Sequence, residues 1–252
     1  MFENLWLIPL GFIAGLLGSI IGLGGGIIIV PVLTFLGFPP TVAVSNSLFA
    51  VFSNAVSSSL SYAKQKRIEY SIGIRLGLLS IPGSVLGAFI SVEITSTLFK
   101  ILFACILISA SIYIFSKRKI ESKGYTKSKQ VLVFAFGASF FAGIISGLFG
   151  VGGGIIFVPV MVILMGMMMK NAAPTSQFIL LFAASSGLIT HIFLGHPEYA
   201  QALFLAAGAF VGGLVGARLS LEIKESRLKI LIMIVMIAVA VKFFIDSLEV
   251  PF

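Results

Sequence analysis

Long stretches without a single charge dominate this chain. No Asp, Glu, Lys or Arg occurs between Glu3 and Lys64, between Lys129 and Lys170, or between Lys170 and Glu198. Each stretch exceeds the roughly 20 residues that a helix needs to cross a hydrocarbon core of about 30 Å. A buried helical core of a soluble protein would show polar faces at helical period, and these stretches have almost none. Charges and turn residues divide the apolar pattern into eight segments, near 5–36, 41–63, 71–91, 98–116, 130–168, 171–194, 199–220 and 227–247. The pattern predicts an all-α, polytopic membrane protein.

The eight segments form two sets of four. Ala14 to Val32, AGLLGSIIGLGGGIIIVPV, matches Ala142 to Val160, AGIISGLFGVGGGIIFVPV, without a gap at a spacing of 128. With one inserted residue the match continues: Val44-Ser45-Asn46-Ser47 falls on Ala173-Pro174-Thr175-Ser176, and Ile68-Glu69-Tyr70 on Pro197-Glu198-Tyr199. Further on, Gly83, Gly87, Ala88 and Ser91 fall on Gly212, Gly216, Ala217 and Ser220. Ordered matches over four separate segments indicate duplication rather than shared low complexity. The expected organisation is a first membrane repeat over 1–116, a linker over 117–129 and a second repeat over 130–252.

The opening segment of each repeat is too long for one straight span. Residues 5–36 would extend about 48 Å at 1.5 Å per residue. Gly22-Leu23-Gly24-Gly25-Gly26 followed by Pro31, and Gly150-Val151-Gly152-Gly153-Gly154 followed by Pro159, mark the break, since adjacent glycines disfavour continuous helix. Either these segments cross once and the repeats are parallel, or they re-enter on one side and the repeats are inverted. The inverted arrangement puts 15 of the 17 Lys and Arg on one side, namely those of Lys64 to Arg75, Lys117 to Lys129, Lys170 and the cluster Arg218, Lys224, Arg227 and Lys229. The parallel one collects 11, so the positive-inside tendency favours inversion, with a kinked, tilted span as the competing geometry.

Composition sharpens this picture without changing it. Hydrophobic residues make up 58% and charged residues 10%, which leaves little surface for a soluble fold. A net charge of +8 does not point to nucleic acid, because the basic residues sit between the apolar stretches, most densely in the linker KRKIESKGYTKSK (Lys117 to Lys129), which is expected in the cytoplasm. The lone Cys105 offers no disulfide framework or metal-type spacing, so neither a metal nor a cofactor is expected. The start MFENLWLIPLGF lacks a basic n-region and a small-residue cleavage site, so the first helix is expected to remain.

Irregular backbone at membrane depth must face protein or a polar cavity, because each unpaired N–H or C=O costs several kcal/mol in lipid. Consecutive glycines can aim their N–H groups at one point and form an anion nest. Gly24, Gly25 and Gly26, with Gly152, Gly153 and Gly154, are therefore candidate substrate-binding residues. Gly83-x-x-x-Gly87 and Gly212-x-x-x-Gly216 are better read as close helix packing. A nucleotide loop is excluded, for no Gly-Lys-Ser/Thr ending or following acidic residue is present. Ser45-Asn46-Ser47 and Thr175-Ser176-Gln177 occupy equivalent places after each break, where they would either donate to anion oxygens or cap and cross-link helices. His191 lies within an uncharged segment at the position matching Tyr62, as a structural histidine or a proton-linked one, and His196 in a turn is expected to be solvated. No paired carboxylates, HExxH or GxSxG occur, so an enzyme is not expected.

With both copies of A-G-x-x-x-x-x-x-G-x-G-G-G-I-I-x-V-P-V in view, the chain resembles the sulfite exporter TauE/SafE family, also called the toluene sulfonate uptake permease family. The resemblance covers essentially the whole chain and includes the Thr-Ser element at Thr175-Ser176, which is replaced in the first repeat by Asn46-Ser47. It implies a bacterial-type inner-membrane transporter of sulfite, sulfonates, sulfoacetate or related small anions, with the path near the two Gly-rich segments. The combined expectation is a secondary carrier with the anion held by the six glycines and by Asn46, Ser47, Thr175 and Ser176. Its partners would be that anion and membrane lipids, not nucleic acid, and a homodimer is compatible with the sequence. A scaffold docking through the basic linker, or a passive anion channel, stands as the alternative.

Overall fold

A computed structural model of the chain describes residues 4–116, 129–222 and 237–245. The linker segment 117–128 and most of the last apolar segment, 223–236 and 246–252, lie outside the described residues. Every regular element among the described residues is helical. The order is α1 (Leu7–Ile21), α2 (Gly26–Phe35), α3 (Pro40–Lys64), α4 (Tyr70–Glu93), α5 (Ser96–Ser116), α6 (Lys129–Phe149), α7 (Gly154–Pro159), α8 (Met169–Phe193) and α9 (Tyr199–Leu219). Residues 160–164 continue α7 as a π-helical turn directly after Pro159, and 237–245 are helical. α3 and α8 are both 25 residues long and start at positions that the sequence match pairs.

The chain forms two compact units. One comprises residues 1–92 and 122–221, the other 93–121 and 222–252. Within the second, Phe103 stacks on Phe99 at 5.8 Å between ring centroids and meets Phe243 at 5.7 Å.

Within the first unit α1 packs on α9, and α6 packs on α4. Small residues permit both contacts. A Cβ on Gly11 or Gly15 would overlap the backbone of Leu205 or Ala209, and one on Gly212 or Gly216 the carbonyls of Phe12 or Leu16. On the other side, Gly83 and Gly87 meet the Phe140 and Ile144 carbonyls, while Gly143 and Gly147 meet those of Ser80 and Ser84. In an apolar solvent, helices gain little by hiding apolar surface from one another, so such close backbone contact supplies the packing energy. The packing role expected for Gly83, Gly87, Gly212 and Gly216 is what these contacts describe.

Among the described residues four helices are long and apolar enough to cross a membrane: Tyr70–Glu93, Val131–Phe149, Met169–Phe193 and Tyr199–Leu219. α3 is equally long but more polar, with Ser45, Asn46, Ser47, Asn54, Ser57 and Ser58 all buried in it.

Hydrogen bonds tie the turns of one repeat to helix ends of the other. Around the α3–α4 turn, Arg67 Nε donates to the Lys170 carbonyl at 2.8 Å and Arg67 Nη1 to Ser220 Oγ at 2.8 Å. Gln65 Nε2 donates to the Ala217 carbonyl at 3.0 Å, and the Glu69 N–H to Thr175 Oγ1 at 3.0 Å. Around the α8–α9 turn, the Glu198 N–H donates to Asn46 Oδ1 at 3.1 Å, and Asn46 Nδ2 to Gln201 Oε1 at 3.2 Å.

Candidate functional site: the crossing of the two glycine breaks

The G-x-G-G-G motif is explained residue by residue. Gly22, Gly24 and Gly25 adopt φ of +87°, +82° and +91°, and Gly150, Gly152 and Gly153 adopt +68°, +83° and +77°, a region that side chains disfavour. The intervening Leu23 and Val151 stay at negative φ and need no glycine. The chain turns back on itself at each break: a Cβ on Gly25 would lie 2.6 Å from the Ala14 carbonyl, and one on Gly153 2.6 Å from that of Ala142. The last glycine has a different duty. A Cβ on Gly26 would overlap the Gly150 carbonyl, and a Cβ on Gly154 that of Gly22, so the two breaks lie backbone against backbone.

Short polar side chains from α3 and α8 fasten this crossing. Ser47 Oγ donates to the Gly150 carbonyl at 2.8 Å, and its counterpart Ser176 Oγ donates to the Gly22 carbonyl at 2.6 Å. Asn54 Nδ2 donates to the Gly24 carbonyl at 3.2 Å, and Gln177 Nε2 to the Gly18 carbonyl at 2.7 Å. Ser58 Oγ reaches the Asn54 carbonyl at 2.7 Å and Gln177 Oε1 at 3.3 Å. All these side chains are buried.

Several backbone donors at the crossing stay unused. The N–H groups of Leu23 and Gly24 turn back onto the Gly18 carbonyl at 2.9 and 3.3 Å. Among the described residues no hydrogen bond takes up the N–H of Gly25, Gly26 or Ile27, nor of Val151, Gly152, Gly153, Gly154 or Ile155. Buried Ser146 Oγ and Asn54 Oδ1 also lack partners. Two aliphatic side chains at equivalent positions lie over the breaks: a Cβ on Gly24 would meet Leu180 Cδ1 at 2.8 Å and Val51 Cγ1 at 3.0 Å, and one on Gly152 would meet Val51 Cγ1 at 2.7 Å. With every residue of both breaks buried, the crossing is closed in this conformation.

Gly24 to Gly26, Gly152 to Gly154, Ser47 and Ser176 are thus brought together. The side chains of Asn46 and Thr175 are engaged elsewhere, accepting the N–H groups of Glu198 and Glu69 at the turns. The sequence reading passed over Asn54, Ser58 and Ser146. A signal for the first two was present: Ser47, Asn54 and Ser58 are spaced by seven and four residues, so they share one face of α3.

His191 Nε2 lies 2.8 Å from the Gly147 carbonyl, in the last turn before the second break. Tyr62, its counterpart, donates its hydroxyl to the Ser19 carbonyl at 2.9 Å before the first break. His196 is half-buried rather than solvated, with Nδ1 2.8 Å from His191 Nδ1. Among the described residues no group of three or more His, Cys, Asp or Glu is placed to hold a metal.

Comparison with known proteins covers most of the chain. The family model described as sulfite exporter TauE/SafE matches residues 7–243. "Probable membrane transporter protein YunE" of Bacillus subtilis is 34% identical over 96% of this chain and 97% of its own length. "Probable membrane transporter protein MJ0441" of Methanocaldococcus jannaschii is 32% identical, covering 92% of this chain and 93% of its own. "Probable membrane transporter protein ORF9" of a Sinorhizobium species is 29% identical over 93% of this chain and 90% of its own length. No solved structure matches.

Proposed function

The chain belongs to the sulfite exporter TauE/SafE family of membrane transporters, and on that premise we propose that it is a secondary carrier of a small anion, sulfite or an organosulfonate, bound where the two glycine breaks cross. One observation carries this reading: among the described residues, eight backbone N–H groups of the buried crossing have no hydrogen-bond partner. Each unpaired donor costs about 1–3 kcal/mol in a protein interior. An oxyanion repays that cost by accepting several at once, and its charge is met by dipoles without a buried lysine. Sulfite and sulfonates present three oxygens on one sulfur, a shape suited to donors converging from two backbones. The hydroxyls of Ser47 and Ser176 are spent on the carbonyls of the opposite break, so they serve the anion by holding the donors in place. Asn46 and Thr175 serve it at one remove, through the turns.

The same reading places the repeats in inverted orientation within an inner-membrane setting, with the α3–α4 turn and the Lys117 to Lys129 linker on the cytoplasmic side. Support comes from the bonds at the turns. In parallel repeats Arg67 and Lys170 would fall on opposite faces of the membrane, whereas Arg67 Nε donates to the Lys170 carbonyl. The bonds of Thr175 to Glu69 and of Asn46 to Glu198 would likewise have to cross the bilayer. The reversal of the chain at Gly25 and Gly153 also fits re-entry better than a kinked span. Transport then requires the α1–α2 and α6–α7 hairpins to part on one side at a time, moving Val51 and Leu180 from over the glycines.

The test is counterflow in proteoliposomes loaded with sulfite, sulfoacetate, taurine, thiosulfate or sulfate, following a labelled anion. Saturable exchange is expected for at least one sulfur oxyanion, with loss in Gly154→Ala, where even one methyl group meets the Gly22 carbonyl. Absence of exchange with every anion, from protein that elutes as a single folded species, defeats the carrier reading. A reporter fused after Lys229 that proves periplasmic defeats the inverted one.

A further inference from the structure

We propose that His191 and His196 form a proton-binding site that takes one proton on His196 Nε2 and couples it to anion movement. The coupling rests on the carrier reading above, whereas the proton site stands without it.

The tautomers follow from the bonds. His191 Nε2 faces a carbonyl at 2.8 Å, an acceptor only, so that nitrogen carries the hydrogen. His191 Nδ1 is then a bare acceptor, and the Nδ1 of His196 at 2.8 Å must donate to it. One basic nitrogen is left on the pair, His196 Nε2. Protonating it breaks no hydrogen bond and turns the Nδ1–H···Nδ1 contact into a charge-assisted one. A second proton would have to enter that contact, so the site takes one.

The other repeat shows what the pair is for. His196 is the counterpart of Arg67 as His191 is of Tyr62, and the turns share a backbone: Lys66 and Gly195 have φ of +54° and +73°, and the N–H groups of Arg67 and His196 donate to the Tyr62 and His191 carbonyls at 3.3 and 3.1 Å. Arg67 holds a permanent charge 5.2 Å from the Tyr62 ring. Where the first repeat has a fixed cation behind the group that holds α1, the second has one that proton binding turns on behind the group that holds α6. Tyr62 shows that bonding the helix end needs no imidazole, so the imidazole pair exceeds the structural requirement.

Few charges surround the pair. Past Lys129, α6, α7 and the π turn carry none, and α1 and α2 have none. Lys64 of α3, Lys170 of α8 and Arg218 of α9 belong to the opposite ends of their helices. Glu198 and Tyr199 stand in the same turn, and α4 presents Ser84 and Ala88 to Gly147 and ends on Glu93. Partial burial holds His196 below the ordinary histidine value, so loading the site from the α8–α9 side takes a medium more acidic than a free imidazole needs.

The chain contains two histidines, so [15N]histidine labelling of protein purified without a histidine tag reads them alone. At neutral pH in nanodiscs, His191 is expected as the Nε2–H form and His196 as the Nδ1–H form, with coupling across the Nδ1 pair. Acidification should protonate His196 Nε2 in a single step that His191→Tyr leaves without its partner. Two independent titrations from ordinary Nε2–H tautomers would overturn the proton site. In counterflow, wild-type flux should rise several-fold as external pH falls from neutral into the acidic range, while His196→Arg gives the acid rate throughout. A pH profile unchanged in His196→Arg and in His191→Tyr would overturn the coupling. Absence of any flux beside the expected spectra would defeat the carrier reading and leave the proton site standing.

Discussion

The two glycine breaks share a backbone and differ in what surrounds it. Ser47 and Ser176 repeat one bond, Asn46 and Thr175 a second, Tyr62 and His191 a third. Around the first break, however, stand Gly18, Asn54, Ser58 and Gln177, and their counterparts around the second are Ser146, Ala183, Gly187 and Leu48. Glycine at 18 lets the first break come close, for a Cβ there would overlap the Gly25 nitrogen. The Gly18 carbonyl consequently takes in the N–H groups of Gly22, Leu23 and Gly24 together with Gln177. Ser146 carries the Cβ that Gly18 lacks, and its carbonyl receives only the Gly150 N–H of that break. The second break therefore keeps the N–H groups of Val151 and Gly152 unspent, beside a buried hydroxyl without a partner. A duplicated motif can thus hold one arm braced and leave the other rich in donors, by changing which side chains flank a turn that occurs twice.

The largest effect should come from removing the frame that both breaks share. Gly26→Ala and Gly154→Ala each drive a methyl group into a carbonyl of the opposite break. Overpacking of this kind costs about 1–3 kcal/mol. Counterflow should vanish in both variants, and Tm in detergent should fall by similar amounts. Retained flux in either would mean that the crossing is not on the transport path.

Next in size is the asymmetry itself. Ser146→Gly should let the second break settle onto the residue 146 carbonyl as the first does on Gly18, spending the N–H groups of Val151 and Gly152. Hydrogen bonds to a charged group are worth about 1.5–3 kcal/mol each, so KM should rise tenfold or more while Tm is kept or raised. An unchanged KM would show that these donors do not meet the anion. Gln177→Leu, which copies Leu48, removes one donor from a carbonyl that keeps three others. It should lower stability by about 1 kcal/mol, read as a small drop in Tm, and leave KM within a few-fold of wild type. A larger rise in KM than that of Ser146→Gly would reverse the assignment of the two arms.

Much of this was legible in the sequence because it rests on local rules. Apolar length gives the helices, adjacent glycines give the breaks, and the duplicated motif tells that both breaks exist. The asymmetry was legible only in part. Gly18 and Ser146 differ within the matched stretch, but the consequence depends on Gly25 folding back against α1, a tertiary contact. Asn46 and Thr175 read as site residues from their place after the breaks, yet their side chains reach turns of the opposite repeat, which periodicity cannot reveal. His196 looked like a solvated turn residue, and its bond to His191 follows from a turn geometry shared with Lys66 and Arg67.

The smallest expected effect again separates the two turns. Partial burial lowers the pKa of His196 in the folded protein relative to the unfolded chain, so below the ordinary value of about 6.5 the unfolded state binds more protons. Stability contributed by neutral His196 is complete above that value and declines as pH falls toward the folded pKa. Because the ring is half-exposed, solvent screens the effect, and Tm should drop by at most about 2 °C over this window. In His196→Gln the drop should disappear, whereas at the Arg67 turn no such drift is expected, since a guanidinium stays charged throughout. A slope that persists in His196→Gln would place the titration on another group and leave His196 without a part in it.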